Sequence, residues 1–125
     1  MENTLPALKY DSNGLIPVVV QDAKTNQVLM FAYANEDAVF LTVSTGFAHY
    51  FSRSRKKLWK KGEESGHLQK ISEILVDCDC DTLLYKVEQT GCACHEGYRS
   101  CFFRNIKGET VLPLIKAPEE IYKSK

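Results

Sequence analysis

Short apolar runs rich in β-branched residues, separated by polar or glycine-containing stretches, recur along this chain. Their length and composition are typical of strands rather than helices. The runs predicted as strands are residues 15–22, 28–34, 47–51, 69–77 and 81–89, followed by a hairpin over 101–114 that turns at Lys107 and Gly108. Pro17 favours the start of its strand or a sheet edge. Strands outnumber helices, which predicts an α+β fold with mainly antiparallel pairing.

One segment is predicted as a helix. Asn35 is a suitable N-cap, and Glu36 and Asp37 would complement the helix dipole in the first turn. Gly46 is a natural helix end. The predicted apolar face consists of Val39, Phe40 and Val43.

The length and charge of the chain limit its organisation and its partners. A chain of 125 residues suits one small domain and leaves no room for a second. We expect a lead-in segment over 1–14, the domain over 15–116 and a charged tail over 117–125. Sixteen basic residues balance sixteen acidic ones, so no overall field favours nucleic acid or a membrane surface. Without a signal sequence or an apolar run of about 20 residues, we expect a cytoplasmic protein.

All five cysteines lie in the second half of the chain, which suggests a metal site. An odd count without a secretion signal argues against a disulfide framework. Two C-x-C pairs, at 78/80 and 92/94, precede Cys101. A catalytic zinc with three protein ligands and a closed structural zinc with four ligands are equally compatible with this spacing. The spacing alone does not select the ligands.

The stretch VDCDCD, residues 76–81, alternates aspartates with cysteines after an apolar run. A regular strand would place the aspartates on one face at steps of about 6.6 Å, too wide for one Mg²⁺ unless the chain bends or water completes the shell. We expect both. A calcium EF-hand also begins D-x-D-x-D, but Thr82 occupies the position that requires glycine, and β-prone residues replace the exiting helix. Solvated aspartates in a loop would leave the apolar flanks unexplained.

A basic stretch over 52–67 shows neither helical nor strand periodicity and contains Gly62 and Gly66. We predict a long functional loop. Arginines and lysines surround Trp59, a composition that suits phosphate recognition but is also common on solvated faces. Together with zinc, this mixture also suits a nucleic-acid-binding module without catalysis.

Three motifs, taken together, resemble one enzyme family. They are SRSRKKLWKKGEESGHLQ, DCDCDTLLYKVEQTG and ACHEGYRSCFF, and they occur in this order. The chain resembles the phosphoribosyl-AMP cyclohydrolase family of histidine biosynthesis from about Pro17 to Phe103. The resemblance implies hydrolysis of the N1–C6 bond of the adenine ring in phosphoribosyl-AMP. It also implies a zinc- and magnesium-dependent homodimer with intertwined subunits that share the zinc site.

The resemblance assigns roles to particular residues. The zinc ligands fall on Cys78, Cys94 and Cys101, and the magnesium ligands on Asp77, Asp79 and Asp81. The substrate-binding residues fall on Arg53, Arg55, Trp59, Lys61, Glu63, Ser65 and His67. His95 follows a zinc ligand and is the candidate base for water, with a structural role or a fourth zinc ligand as alternatives.

This chain departs from the family pattern at three positions. Cys80 and Cys92 stand where we expect residues without a thiol, and His67 stands where the family has asparagine. The extra thiols would compete for zinc or oxidise, and the histidine would add a titratable group. None of these departures removes a residue assigned to metal.

Overall fold

The structure, a computed structural model, describes residues 7–117 and Glu119. It contains one helix and six strands within these residues. In chain order they are β1 (Ile16–Asp22), β2 (Val28–Ala34), α1 (Glu36–Thr45), β3 (His49–Ser52), β4 (Lys57–Lys60), β5 (Gln69–Val76) and β6 (Leu83–Gln89). The predicted α+β class and mainly antiparallel pairing are confirmed.

Four strands form the main sheet in the order β2-β1-β6-β5. The outer pairs β1–β2 and β5–β6 are antiparallel, whereas the central strands β1 and β6 are parallel. Val18 and Val20 of β1 and Tyr85 and Val87 of β6 are fully buried and form the centre of the core. Pro17 lies in an inner strand, but pairing with β6 begins only at Val18, so proline is tolerated at the strand start as predicted.

Helix α1 begins and ends where the sequence predicts. The Asn35 side chain accepts a hydrogen bond from the Ala38 backbone N–H at 2.9 Å, and Gly46 closes the helix with a φ of 81°. The predicted apolar face is partly wrong. Val39 is buried with Ala38 and Thr42, but Phe40 is 68% exposed and Val43 49% exposed. The small side chains of Ala38 and Thr42 are fully buried instead.

The predicted loop over 52–67 contains a strand and is therefore corrected. β3 and β4 form an antiparallel hairpin in which Tyr50 pairs with Trp59, and Lys56 adopts a φ of 52° in the turn. Tyr50 packs against Trp59 with ring centroids 5.2 Å apart. Lysines flank Leu58 and Trp59, so half-buried strand residues were hidden inside a basic stretch. The loop proper begins after Lys60.

The segment over 101–114 was predicted as a hairpin, and this prediction is only partly confirmed. The chain does turn at Lys107 and Gly108, but only a single bridge joins Arg104 to Thr110, and no strand forms there. The segment lies largely exposed, with Phe103 as its buried residue.

The ends of the chain are only partly described. Within the predicted lead-in, Leu8 and Tyr10 pack against the core, and the Lys9 N–H donates to the Cys80 carbonyl at 2.8 Å. Predictions for 1–6, and for 118 and 120–125 of the predicted tail, lie outside the described residues. Within residues 7–117, no helix is long and apolar enough to cross a membrane.

Candidate active site

A cleft of about 680 Å³ lies between the β3–β4 hairpin, β2 and the loop that follows β6. Its lining combines aromatic, basic and acidic side chains. Of the predicted site residues it gathers Arg55, Trp59, Lys61, Glu63, Ser65 and His95. The hairpin carries Arg55 and Trp59. The loop after β4 adds Lys61, Glu63 and Ser65, and the loop after β6 adds His95.

The loop after β4 needs glycine to pass close to its own return. Gly62 has a φ of 84°, and a Cβ built there would lie 2.6 Å from the His67 backbone carbonyl. Glu63 accepts a hydrogen bond from the Lys60 N–H at 3.0 Å, and Ser65 accepts one from the His67 N–H at 3.2 Å. These bonds fix the loop as a tight rim beside the cleft.

Two of the predicted substrate-binding residues do not line the cleft. The Arg53 guanidinium stands 4.2 Å above the ring of Tyr33, which does line it. The segment over 90–101, which follows β6 and contains Cys92, Cys94 and Cys101, is called the cysteine loop below. His67 lies against this loop, where its Nδ1 accepts a hydrogen bond from the Cys92 N–H at 3.1 Å. Gly91 leaves room for that imidazole, because a Cβ at Gly91 would lie 2.9 Å from it. The roles of Arg53 and His67 toward substrate stay predictions.

The thiols of Cys94 and Cys101 lie close together beside the cleft. Burial raises the pKa of the Cys101 thiol to about 11, Cys94 adds to this effect, and Lys61 opposes it. The Cys94 sulfur accepts a hydrogen bond from the Glu96 N–H at 3.4 Å. Two unpaired thiols in contact, one with a backbone donor already aimed at its sulfur, fit the requirements of a thiolate metal ligand pair.

His95 directly follows Cys94 and lines the cleft. Its side chain is 76% exposed, and its Nε2 lies 4.0 Å from a carboxylate oxygen of Glu96. The imidazole is therefore free to meet a substrate or a water molecule in the cleft.

Cys78 lies at the other end of the sheet from this pair. It belongs to the turn before β6, whereas Cys94 follows the end of β6. Cys101 is held at the same far end, since its N–H donates to the Leu29 carbonyl at 2.7 Å. The six steps along β6 span roughly 20 Å. One copy of the chain therefore does not bring Cys78 to the Cys94–Cys101 pair.

The two unexpected cysteines have different surroundings. Cys92 is 3% exposed, donates from its thiol to the Gly97 carbonyl at 3.3 Å, and has its pKa raised by burial. Cys80 lies partly exposed in the turn before β6 with a φ of 61°. Within the described residues, no four-cysteine cluster forms in one chain.

The three aspartates meet in the turn between β5 and β6. Their carboxylate oxygens lie within 4.8 Å of one another, because the strand ends at Val76 and the chain bends. Oxygens bound to one octahedral Mg²⁺ lie at most about 4.2 Å apart, so these exposed carboxylates need to draw together by only a few tenths of an ångström to bind the ion. The predicted bend is confirmed, and the roughly 6.6 Å steps of a straight strand are not present.

Asp77 and Asp81 differ in their hydrogen bonds and in the direction of their pKa shifts. Asp77 Oδ1 accepts the Asp81 N–H at 3.0 Å and the Thr82 N–H at 3.3 Å, which lowers the pKa of Asp77. A hydrogen bond with Asp77 and the neighbouring negative charge raise the pKa of Asp81. The Asp77 carboxylate thus stabilises the turn. The mutual repulsion of the three carboxylates would be relieved by a bound cation.

Reasoning from the sequence did not identify every residue of the cleft. Tyr33 and Phe51 contribute aromatic surface to its lining. Both lie in predicted strands, where the sequence does not show which face each side chain occupies. Only the packing of the hairpin against β2 reveals them.

Known proteins similar to this chain point to one family. The family model described as phosphoribosyl-AMP cyclohydrolase matches residues 30–103. A phosphoribosyl-AMP cyclohydrolase of Methanocorpusculum labreanum is 73% identical over 98% of this chain and 98% of its own length. The phosphoribosyl-AMP cyclohydrolase of Methanoregula boonei is 66% identical over 92% of this chain and 94% of its own length. That of Methanospirillum hungatei is 59% identical over 97% of this chain and 92% of its own length.

These similarities and the cleft define an enzyme of the hydrolase class. The chain belongs to the phosphoribosyl-AMP cyclohydrolase family. The resemblance found in its three motifs is confirmed.

Proposed function

We propose that this protein hydrolyses the N1–C6 bond of the adenine ring in phosphoribosyl-AMP during histidine biosynthesis. The product is the ring-opened phosphoribosyl-formimino-aminoimidazole carboxamide ribotide. The observation that carries this proposal is the single cleft that combines Trp59, basic side chains and His95 beside the Cys94–Cys101 thiol pair.

The substrate is already activated for attack at carbon. Its N1 carries a ribosyl phosphate, so the purine is a cationic, amidine-like ring and C6 is electrophilic. Water adds its oxygen to C6, the bond from C6 to N1 breaks, and the proton lost by water is returned to the departing nitrogen. The enzyme has to supply hydroxide at neutral pH and hold the ring in place.

The residues of the cleft suit these tasks. His95 accepts the proton of the attacking water and returns it to N1. Trp59 presents a flat aromatic surface to the purine. Arg55, Lys57 and Lys60 line the same cleft and pair with phosphate oxygens. Arg53, held over Tyr33, adds positive charge at the edge of the cleft.

We assign Zn²⁺ to Cys78, Cys94 and Cys101, and Mg²⁺ to Asp77, Asp79 and Asp81. When bound, zinc would lower the pKa of a water molecule, and magnesium would offset phosphate charge. The separation of Cys78 from the other two sulfurs supports a homodimer, in which the partner supplies the missing thiol. We also propose a cytoplasmic location, in keeping with a biosynthetic role.

The test is hydrolysis of phosphoribosyl-AMP by the purified protein, followed by the absorbance of the ring-opened product. We expect turnover with zinc and magnesium, loss of turnover after chelation, and recovery when both metals return. Cys101→Ser should release zinc and abolish turnover, whereas Cys80→Ser, its matched control in an unassigned position, should keep both. Full activity in a zinc-free Cys101→Ser protein would refute the zinc assignment.

Magnesium has a separate test. Asp79→Asn should raise the magnesium concentration needed for turnover and leave zinc bound, since Asp79 belongs to the aspartate cluster and not to the thiol pair. Unfolding of this variant would show instead that the aspartates are structural. The alternative of a zinc-stapled nucleic-acid module finds no support, and salt-sensitive binding of DNA or RNA without hydrolysis would be needed to revive it.

A further inference from the structure

Lys61 is tied to the cysteine loop although it lines the cleft. Its ammonium donates a hydrogen bond to the Ala93 carbonyl at 2.5 Å, and Ala93 lies between Cys92 and Cys94. Its own backbone is fixed as well, since the Lys61 N–H donates to the Ala48 carbonyl at 3.0 Å. A lysine anchored at both ends in this way has little freedom to reach into the cleft for a substrate.

The charge of Lys61 lies in the field of the sulfur atoms. Burial lowers the pKa of the Lys61 ammonium, and Cys101, Cys94 and Cys92 each oppose that effect. The adjacent Lys60 has different surroundings, because its ammonium stands 5.0 Å above the ring of Phe47. Of these two neighbouring lysines of the cleft, Lys61 is the one directed toward the thiols.

We propose that Lys61 is a positioning residue for the thiolate pair, and that it does not bind substrate. Its hydrogen bond to Ala93 holds the backbone beside Cys94, and its positive charge offsets the negative charge of the Cys94 and Cys101 sulfurs. This inference rests on the proposed zinc site, and it replaces the substrate-binding role that the family resemblance implies for Lys61.

The physical reason is the charge of a three-thiolate site. Three thiolates around Zn²⁺ leave a net negative charge, and that charge is partly buried here beside the cleft. A fixed ammonium next to the sulfurs compensates for it at short range, where solvent screens little. Groups that orient metal ligands from outside the ligand shell typically change metal affinity by about 10- to 100-fold.

The experiment compares zinc affinity, measured by competition with a chelator, in the full-length wild type, Lys61→Met, Lys61→Arg and Lys60→Met. We expect affinity to fall about 10- to 100-fold in Lys61→Met. Lys61→Arg keeps the charge and should recover part of the loss, while Lys60→Met should bind zinc as the wild type does. Cobalt substitution gives a second reading, since thiolate-to-cobalt absorbance should then appear only at higher cobalt concentration in Lys61→Met.

The outcomes separate this inference from the proposed function. Zinc affinity in Lys61→Met equal to that of the wild type, with an increased KM for phosphoribosyl-AMP, would overturn the inference and make Lys61 a substrate ligand. An equal loss of affinity in Lys60→Met would overturn it too. A wild type that binds no zinc would instead contradict the proposed function. If Lys61→Met does not fold, Lys61→Gln provides the same comparison.

Discussion

At the scale of single residues, two buried tyrosines at the centre of the fold have unequal hydrogen bonding. The rings of Tyr50 and Tyr85 stack with centroids 5.9 Å apart. The Tyr50 hydroxyl donates to Gln69 Oε1 at 2.6 Å, within a network that continues from Gln69 to Gln89. The Tyr85 hydroxyl lies near Thr42, but Thr42 Oγ1 already donates to the Ala38 carbonyl and accepts from the His49 N–H. Within the described residues, the Tyr85 hydroxyl therefore has no partner in good hydrogen-bond geometry.

This difference predicts opposite effects of removing each hydroxyl. Tyr50→Phe leaves a buried Gln69 oxygen without its donor and should lower the free energy of unfolding by about 1–3 kcal/mol. Tyr85→Phe removes a buried hydroxyl that has no partner, so stability should be unchanged or increased. Urea unfolding of both variants measures this. Equal destabilisation by the two substitutions would contradict the assignment of the network.

His95 carries the proposed proton transfer. His95→Ala should lower kcat by about 100- to 10,000-fold, the usual contribution of general acid–base catalysis, while zinc stays bound. Glu96→Gln, at the neighbouring exposed side chain 4.0 Å from His95, is the matched control and should keep most of the activity. Metal analysis and steady-state kinetics distinguish the roles. Loss of zinc from His95→Ala would make His95 a metal ligand.

At the scale of elements, the cysteine loop depends on its attachment to the sheet. Arg99 donates to the carbonyls of Gln89 and Gly91, each at 3.0 Å, and forms a close ion pair with Asp22 at the end of β1. Ser100 donates to the Val28 carbonyl at 2.7 Å. These contacts fix the loop between Cys94 and Cys101 against β1 and β2.

The Asp22–Arg99 pair predicts a pH dependence of stability. Burial alone would raise the pKa of Asp22, but the N–H groups of Thr25 and Lys24 and the Arg99 guanidinium lower it below the ordinary value of 3.8. The stabilisation is therefore complete above pH 3.8 and is lost as pH falls through the lowered pKa of the folded state.

The measurement is the free energy of unfolding of the wild type and of Asp22→Asn across this range. The stability difference between the two proteins should be constant near neutral pH and should shrink in the most acidic samples. Asp11→Asn, in an exposed turn of the lead-in, serves as the control. A difference that stays constant at all pH values would refute the lowered pKa of Asp22.

The sequence predicted most strands and both ends of α1, since these depend on local chemistry such as β-branched apolar runs, an asparagine cap and a final glycine. The parallel pairing of β1 with β6 is a long-range choice that no local pattern encodes. β4 was missed because lysines surround Leu58 and Trp59. The exposure of Phe40 was missed because helical periodicity identifies an apolar face without showing what covers it.

At the scale of the whole molecule, large apolar side chains remain exposed in the single chain. They include Phe40 and Val43 on α1, Leu75 on β5, and Phe102, Ile106 and Val111 beyond the cysteine loop. Exposed apolar side chains mark a protein–protein interface where they are contiguous, as Phe40 and Val43 are, three residues apart on α1. This exposed surface agrees with the proposed homodimer, as does the position of Cys78.

The sequence predicted which residues belong to the candidate site, but not how the fold arranges those that are distant along the chain. The sequence placed the aspartates together because they lie within five residues, and the structure brings them within 4.8 Å. It did not show that Cys78 lies at the opposite end of the sheet from Cys94 and Cys101, since that separation depends on the course of β6. Spacing along the chain contains no information about which ligands a second copy supplies.

The most direct test of the account is restoration of activity by mixing two inactive variants. Cys78→Ser and Cys101→Ser should each lack zinc and turnover. When the two are unfolded and refolded together, mixed dimers have one site with all three thiols, so we predict roughly a quarter of wild-type turnover. A mixture that forms mixed dimers, verified by mass spectrometry of differently tagged chains, and yet stays inactive would contradict a site shared between two copies.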